Sequence, residues 1–338
     1  MRAAFVPEPG RVEVADFPVP RPRPDQLLVR MRHASVCGSD IHVVHHGFHD
    51  EEFLGVPGYP GHEGVGVIDE SSGDAGLPPG TPVLTVPSGR LGCCFAEYQA
   101  VERRWLIPLP AAAVAETGIE RLLLAQQLGT TVFALKRFLR SAPGARDGEG
   151  GTAAVIGAGS AGLFLLQLLL RRGYDVVAVS DLDEGRLAEA ARLGAARTVR
   201  APGEDFTEAV LEATGGRGAD LVIEAAGFDA TRAQAVAAVR KRGTVGCFGY
   251  PELPGLSPFP VDRAFRDTVA VEWCSGAQFE PGLASFREAL TLIRTGAIAV
   301  DHCLRARCEL EQVPKALELA RTQAGGAPKV HITIAPNG

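Results

Sequence analysis

One stretch constrains this chain more than any other. Thr152-Ala153-Ala154-Val155-Ile156 runs into Gly157-Ala158-Gly159-Ser160-Ala161-Gly162, and the apolar segment Leu163 to Leu170 follows. A short β-rich run, three glycines at Gly-x-Gly-x-x-Gly spacing and an apolar segment closed by Gly173 predict strand, tight turn and helix over 152–172. Each glycine has a physical task. Gly157 permits the turn, Gly159 lets the backbone approach a pyrophosphate, and Gly162 lets helix and strand pack closely. The first helical residues, Ser160 and Ala161, stand at a helix N-terminus, which attracts phosphate charge. Asp175-Val176-Val177-Ala178-Val179-Ser180 reads as the next strand and ends at Asp181. A carboxylate there accepts hydrogen bonds from an adenosine ribose and repels a 2′-phosphate, so NAD is expected rather than NADP. The competing role for Asp181 is to cap the helix expected over 184–193. Asp183 and Glu184 are further cap candidates.

From 152 to about 276 strands and helices alternate, as in a parallel sheet covered by helices. Ala219–Glu224 and Thr244–Phe248 are two more expected strands. Residues 1–110 read differently, as short strands (Ala3–Val6 and Gln26–Arg32 among them) broken by turns rich in glycine and proline. Helical spacing returns over 119–140, 283–295 and 311–323, and Val330–Ile334 reads as a last strand. With 338 residues, two domains are expected. One is residues 1–140 completed by 277–338. The other is a nucleotide-binding domain over 141–276, with the polar, glycine-rich Ser141–Gly151 as a candidate hinge.

A second constellation lies near the N-terminus. Cys37-Gly38-Ser39-Asp40-Ile41-His42 precedes Gly61-His62-Glu63. Catalytic zinc sites take three ligands from cysteine, histidine and carboxylate and leave one position for water or substrate. Cys37 would bind as thiolate and His62 through a neutral ring nitrogen. Glu63 or Asp40 would either ligate or hold the ligands from behind. Ser39 is close enough in sequence for its hydroxyl to contact an oxygen on the metal, and His42 could pass that proton to solvent. His33, His45, His46 and His49 read as a solvated polar loop without a metal role. Seven cysteines with no Cys-x-x-Cys argue against a disulfide framework and a four-cysteine zinc site.

These motifs together resemble the medium-chain, zinc-dependent alcohol and polyol dehydrogenases, over nearly the whole chain. Cys37-Gly38-Ser39-Asp40-Ile41-His42 and Gly61-His62-Glu63-Gly64-Val65-Gly66 carry the resemblance most specifically. Phe95-Ala96-Glu97-Tyr98, Gly218–Glu224 and Pro328-Lys329-Val330 add to it. It implies an α/β protein, with a GroES-like β catalytic domain and a doubly wound Rossmann domain inserted into it. It implies one catalytic zinc on Cys37 and His62, with Ser39 and His42 as the proton relay. Two departures stand out. The chain passes from Val86 to Cys93-Cys94 with no room for the family's four-cysteine structural-zinc lobe, and this pair is expected to be structural. Gln126 falls where sorbitol- and glucose-dehydrogenase-like relatives often carry glutamate on a later helix. With Glu63, it is the candidate for the remaining ligand position.

The expected activity is NAD-dependent interconversion of a secondary alcohol (a polyol, sugar or cyclitol) and its ketone. Residues 43–57 and 273–280 are expected to set substrate choice. The rivals are a metal-free reductase of activated double bonds on the same architecture and a non-catalytic nucleotide-binding protein. A formal charge of −6 argues against a nucleic-acid partner. The most apolar run is about half the length a bilayer requires, and the N-terminus has no signal-peptide core. A cytoplasmic homodimer or homotetramer that takes a small-molecule substrate and no membrane is the resulting expectation.

Overall fold

The computed structural model describes residues 1–71, 76–87, 92–141 and 150–335. The expected hinge over 141–151 falls largely outside them. Along the chain come β1 (Arg2–Glu8), β2 (Arg11–Asp16), β3 (Gln26–Val36), α1 (Gly38–His45), β4 (Glu63–Ser71), β5 (Pro82–Thr85), β6 (Tyr98–Glu102) and β7 (Leu106–Pro108). Then follow α2 (Ala111–Thr117), α3 (Ile119–Leu123), α4 (Ala125–Ser141), β8 (Thr152–Ile156), α5 (Ser160–Arg171), β9 (Asp175–Asp181), α6 (Glu184–Arg192) and β10 (Thr198–Arg200). The remainder is α7 (Phe206–Ala213), β11 (Ala219–Glu224), α8 (Asp229–Ala238), β12 (Val239–Cys247), α9 (Val261–Arg266), β13 (Ala270–Trp273), α10 (Ala284–Arg294), β14 (Ala306–Glu309), α11 (Val313–Arg321) and β15 (Val330–Thr333). The chain is α/β and divides into two compact units. One comprises residues 1–129, 278–325 and 329–338, the other 130–277 and 326–328.

In the first unit β3 is the hub of a seven-stranded sheet ordered β14-β15-β3-β4-β5-β7, with β6 also pairing β3. The pairings of β3 with β4, β6 and β15 are antiparallel, and β14 runs parallel to β15. Leu27, Val29, Met31, Ala34 and Val36 are buried in this unit's core with Val6, Val83, Phe95 and Ile332. Register decides which polar side chains meet on this sheet. Arg307 lies opposite His331, His331 opposite Ser35, and Ser35 opposite Glu63. Because partners across a sheet share a face, these four residues from β14, β15, β3 and β4 form one polar row. His33, two positions along β3 from Ser35, lies on the same face.

The second unit is a six-stranded, all-parallel sheet ordered β10-β9-β8-β11-β12-β13. In order of appearance this is 3-2-1-4-5-6, the doubly wound dinucleotide-binding topology, whose crevice lies at the carboxyl end of the first strand. The four residues Ala153 to Ile156 of β8 are all buried, consistent with a central parallel strand covered on both faces. Helix α5 is apolar nearly all round, and Leu163 to Leu166 are fully buried. It ends where Gly173 turns into the left-handed region at φ +77°.

Candidate active site

A single carboxylate organises the N-terminal cluster. Cys37 has extended backbone and starts α1, which places Asp40 at the third helical position. From there Asp40 Oδ2 accepts the Cys37 backbone N–H at 2.8 Å. Its Oδ1 approaches His62 Nδ1 at 2.9 Å. One buried side chain thus secures both the Cys37 backbone and the His62 ring. The Pro60 carbonyl also lies 3.3 Å from His62 Nδ1. Nε2 is left on the other side of the ring, 3.4 Å from Ser39 Oγ.

The His62 loop is packed so tightly that side chains are excluded around it. A Cβ on Gly61 would lie 2.6 Å from a Phe95 ring carbon, and one on Gly92 would lie 2.4 Å from the His62 Cβ. Gln126, in the first turn of α4, donates to the His62 carbonyl at 3.5 Å, and the Cys94 thiol donates to the Glu63 carbonyl at 3.3 Å. Burial pushes the Cys93 thiol up to about 12 and the Cys94 thiol well above its ordinary range. Both therefore stay protonated at neutral pH.

Cys37, His62 and Glu63 each present a ligand atom, all within 4.8 Å of one another. Sulfur, imidazole and carboxylate form the donor set that suits zinc, so the residues fit that ion. Burial pulls the His62 ring down, but the Asp40 carboxylate more than offsets it and holds His62 well above its ordinary value. Burial raises Asp40 itself, against the pull of His62. A metal on His62 would therefore displace a proton from the ring while Asp40 keeps Nδ1–H in place.

Glu63 is restrained from its other side. Lys329 Nζ lies 2.7 Å from Glu63 Oε2, with both side chains about 1% exposed. Ser35 Oγ donates to the same carboxylate, and Lys329 also donates to the Val36 carbonyl at 3.2 Å. Burial alone would lower the Lys329 ammonium, but Glu63 more than offsets it and keeps it charged. In the sequence Lys329 stands out only as part of the Pro328-Lys329-Val330 match, with no role attached. The available signal was a lysine just before a short, buried strand.

Ser39 and His42 lie three residues apart on α1, the spacing that brings side chains to one helix face. The His42 ring packs edge-on against His46 at 4.8 Å. The expectation of a solvated loop of histidines needs correction. His33 is 2% exposed in the interior of β3, and His45 ends α1. His33 is buried because the carboxyl half of β3 is covered on both faces.

In the second unit the loop after β8 has the expected form. Gly157 stands at φ +96°, a Cβ on Gly162 would lie 1.8 Å from the Gly157 carbonyl, and one on Gly159 would meet nothing within 4 Å. The Ser160 N–H donates to the Pro328 carbonyl at 3.3 Å, and Ala161 lies in the same first turn of α5. Asp181 Oδ2 accepts the Ala158 N–H at 2.7 Å, and Oδ1 accepts the Asp183 N–H at 3.0 Å. The cap of α6 is Asp183, which accepts from the Arg186 N–H, so Asp181 is not spent as that cap. Arg200, beside Asp181 across the sheet, is paired with Glu184 at 3.0 Å. A glycine loop with open space at Gly159, a helix start and a carboxylate at the next strand end fit a dinucleotide.

Comparison with known proteins agrees with this geometry. Residues 23–111 match the alcohol dehydrogenase GroES-like domain and residues 161–295 the zinc-binding dehydrogenase domain. A Mycobacterium tuberculosis protein named "Probable zinc-binding alcohol dehydrogenase" is 31% identical over 96% of this chain and 86% of its own length. Sorbitol dehydrogenase of Bacillus subtilis is 24% identical over 95% of this chain and 93% of its own. The alcohol dehydrogenase of Aeropyrum pernix superposes with a TM-score of 0.84 at 25% identity, covering 98% of this chain and all of that one. The chain is an oxidoreductase and belongs to the medium-chain zinc-binding alcohol and polyol dehydrogenase family.

Proposed function

We propose that this enzyme interconverts a secondary alcohol, of the polyol, sugar or cyclitol class, and its ketone, with NAD as the hydride carrier. One observation carries the reading: Asp40 holds Cys37 and His62 in a three-ligand cluster with Glu63, beside the hydroxyl of Ser39. Cys37, His62 and Glu63 would hold the zinc, which would supply a Lewis acid for the alcohol oxygen, and the Gly157–Gly162 loop with Asp181 would hold the dinucleotide, which would supply the hydride acceptor. The chain's own residues do the remaining work. Ser39 Oγ takes the substrate hydroxyl proton, and His42, one turn along α1, hands it towards solvent. Gln126 holds the His62 backbone, with direct ligation as its further role. Glu63 is kept in place by Lys329 and Ser35.

NAD is favoured because Asp181 sits at the end of β9 and the nearby Arg200 is engaged by Glu184. The similarity to sorbitol dehydrogenase supports the polyol class. We place the enzyme in the cytoplasm as a homo-oligomer. Among the described residues no helix is long and apolar enough to cross a membrane. β13 is a sheet edge, and its Trp273 and the neighbouring Phe265 are exposed. The test is turnover of a polyol and cyclitol panel with NAD and with NADP. Secondary polyols with NAD should give the highest kcat/KM. Turnover confined to activated double bonds would overturn the reading.

A further inference from the structure

A second cluster of metal-ligating side chains lies on the polar row of the first unit. His33 on β3, His331 on β15 and Glu120 in the first turn of α3 each present a ligand atom, all within 4.8 Å of one another. His331 Nε2 lies 3.1 Å from His33 Nδ1, and His33 Nε2 lies 3.9 Å from Glu120 Oε1. The two histidines are 2% and 0% exposed.

Their hydrogen bonding does not close. His33 Nε2 and His331 Nδ1 are buried without a hydrogen-bond partner. Burial lowers both rings, His331 to about 4, so both are neutral near pH 7, with one N–H and one lone pair each. Suppose His33 Nδ1–H donates to His331. The bare lone pair of His33 Nε2 then faces a carboxylate, and the His331 Nδ1–H has no acceptor. If His331 donates instead, the His33 Nε2–H falls short of Glu120, and the His331 Nδ1 lone pair is left bare. Either tautomer leaves buried polar atoms unpaired, which costs roughly 1–3 kcal/mol for each.

Arg307, opposite His331 in the sheet, forks onto Glu120 at 3.1 and 2.7 Å and fixes the carboxylate. A cavity of about 270 Å³, lined by Gly118, Ile119, Glu120, Arg121, Leu304 and Arg307, opens beside the same carboxylate.

We propose that His33, His331 and Glu120 form a second, non-catalytic site for a divalent ion of the zinc class, with its remaining positions filled by water. Two neutral imidazoles and one carboxylate select zinc, nickel or cobalt over magnesium or calcium, which prefer all-oxygen sites. The site uses none of Cys37, His62 or Glu63 and stands independently of the proposed reaction.

The test is calorimetric titration of the full-length protein, already carrying its catalytic zinc, with ZnCl2 and with MgCl2. Metal content is measured after gel filtration. One further zinc equivalent is expected, with no comparable binding of magnesium. Glu120→Gln should weaken that equivalent at least about tenfold while leaving alcohol turnover intact, since Glu120 is partly exposed and takes no part in the reaction. His331→Gln should abolish it, and Cys37→Ala should leave it in place. Zinc-induced shifts of the His33 and His331 ring nitrogens in the unmodified protein give a readout that depends on no variant. The proposal fails if no further zinc binds up to millimolar concentration, if the further zinc is unaffected by Glu120→Gln and His331→Gln, or if those ring nitrogens do not respond.

Discussion

Replacing Lys329 by methionine removes a positive charge from a fully buried ion pair and keeps most of the side-chain volume. The pair is 2.7 Å apart, with both partners about 1% exposed. What remains is the Glu63 carboxylate, still accepting from Ser35 but stripped of its counter-charge. Breaking a buried pair from one side typically costs about 3–5 kcal/mol, because one charge is left uncompensated. If all 338 residues unfold together, the unfolding entropy is roughly 0.7 kcal/mol/K, so the loss lowers Tm by about 4–7 °C. The cost should be largest in chelator-treated protein and smaller with zinc restored, because a cation beside Glu63 offsets part of the orphaned charge. Glu63→Gln combined with Lys329→Met should recover part of the loss, since neither charge is then buried alone. Scanning calorimetry of the unmodified protein, the two single variants and the double variant, with and without zinc, checks this. A Lys329→Met protein with unchanged Tm, or a double variant less stable than either single one, would show that Glu63 is not left as an uncompensated charge.

Three further outcomes are expected. Ser39→Ala should slow alcohol oxidation more than His42→Ala. His42→Ala should lose about 100- to 10,000-fold, most at low pH and with partial rescue by buffer, while keeping its zinc; steady-state rates and metal content together check this. Asp181→Ala should weaken NAD and relieve repulsion of a 2′-phosphate, narrowing the NAD-to-NADP ratio of kcat/KM; an unchanged ratio counts against Asp181 as the ribose reader. His331 has a folded-state pKa of about 4, below the usual 6.5, so the unfolded chain takes up a proton that the native one refuses. Its contribution is complete above pH 6.5 and is lost as pH falls towards 4, by about 3 kcal/mol in all. Denaturant melts of chelator-treated His331→Gln between pH 4.5 and 7 should therefore show a shallower pH slope than the unmodified protein treated the same way.

The parts of this molecule that sequence made legible are those whose physics is local. β8, the glycine loop, α5 and β9 follow from consecutive residues, each with its own steric or periodic signature. Cys37 and Asp40 are brought together by a single helical turn, so their association could be anticipated, though not that Asp40 would grip both ligands. What could not be read is set by register between distant strands. β15 pairs with β3 across nearly the whole chain, which brings His331 to His33 and, together with the β3–β4 pairing, Lys329 to Glu63. No local pattern encodes such a meeting, and His33 in Arg32-His33 looked polar enough to belong in solvent. β10 and β13, of three and four residues, are too short to show a period of their own.

In the reaction proposed above, alcohol oxidation depends on zinc held by Cys37, His62 and Glu63. The most direct measurement is NADH formation from a secondary polyol by three preparations of the same protein: as purified, after exhaustive chelation, and after one equivalent of zinc is restored. Cys37→Ala is carried through the same steps. Chelation should remove turnover and zinc should return it, with no return in Cys37→Ala. Undiminished turnover in the zinc-free protein, or full recovery in Cys37→Ala, would contradict that dependence.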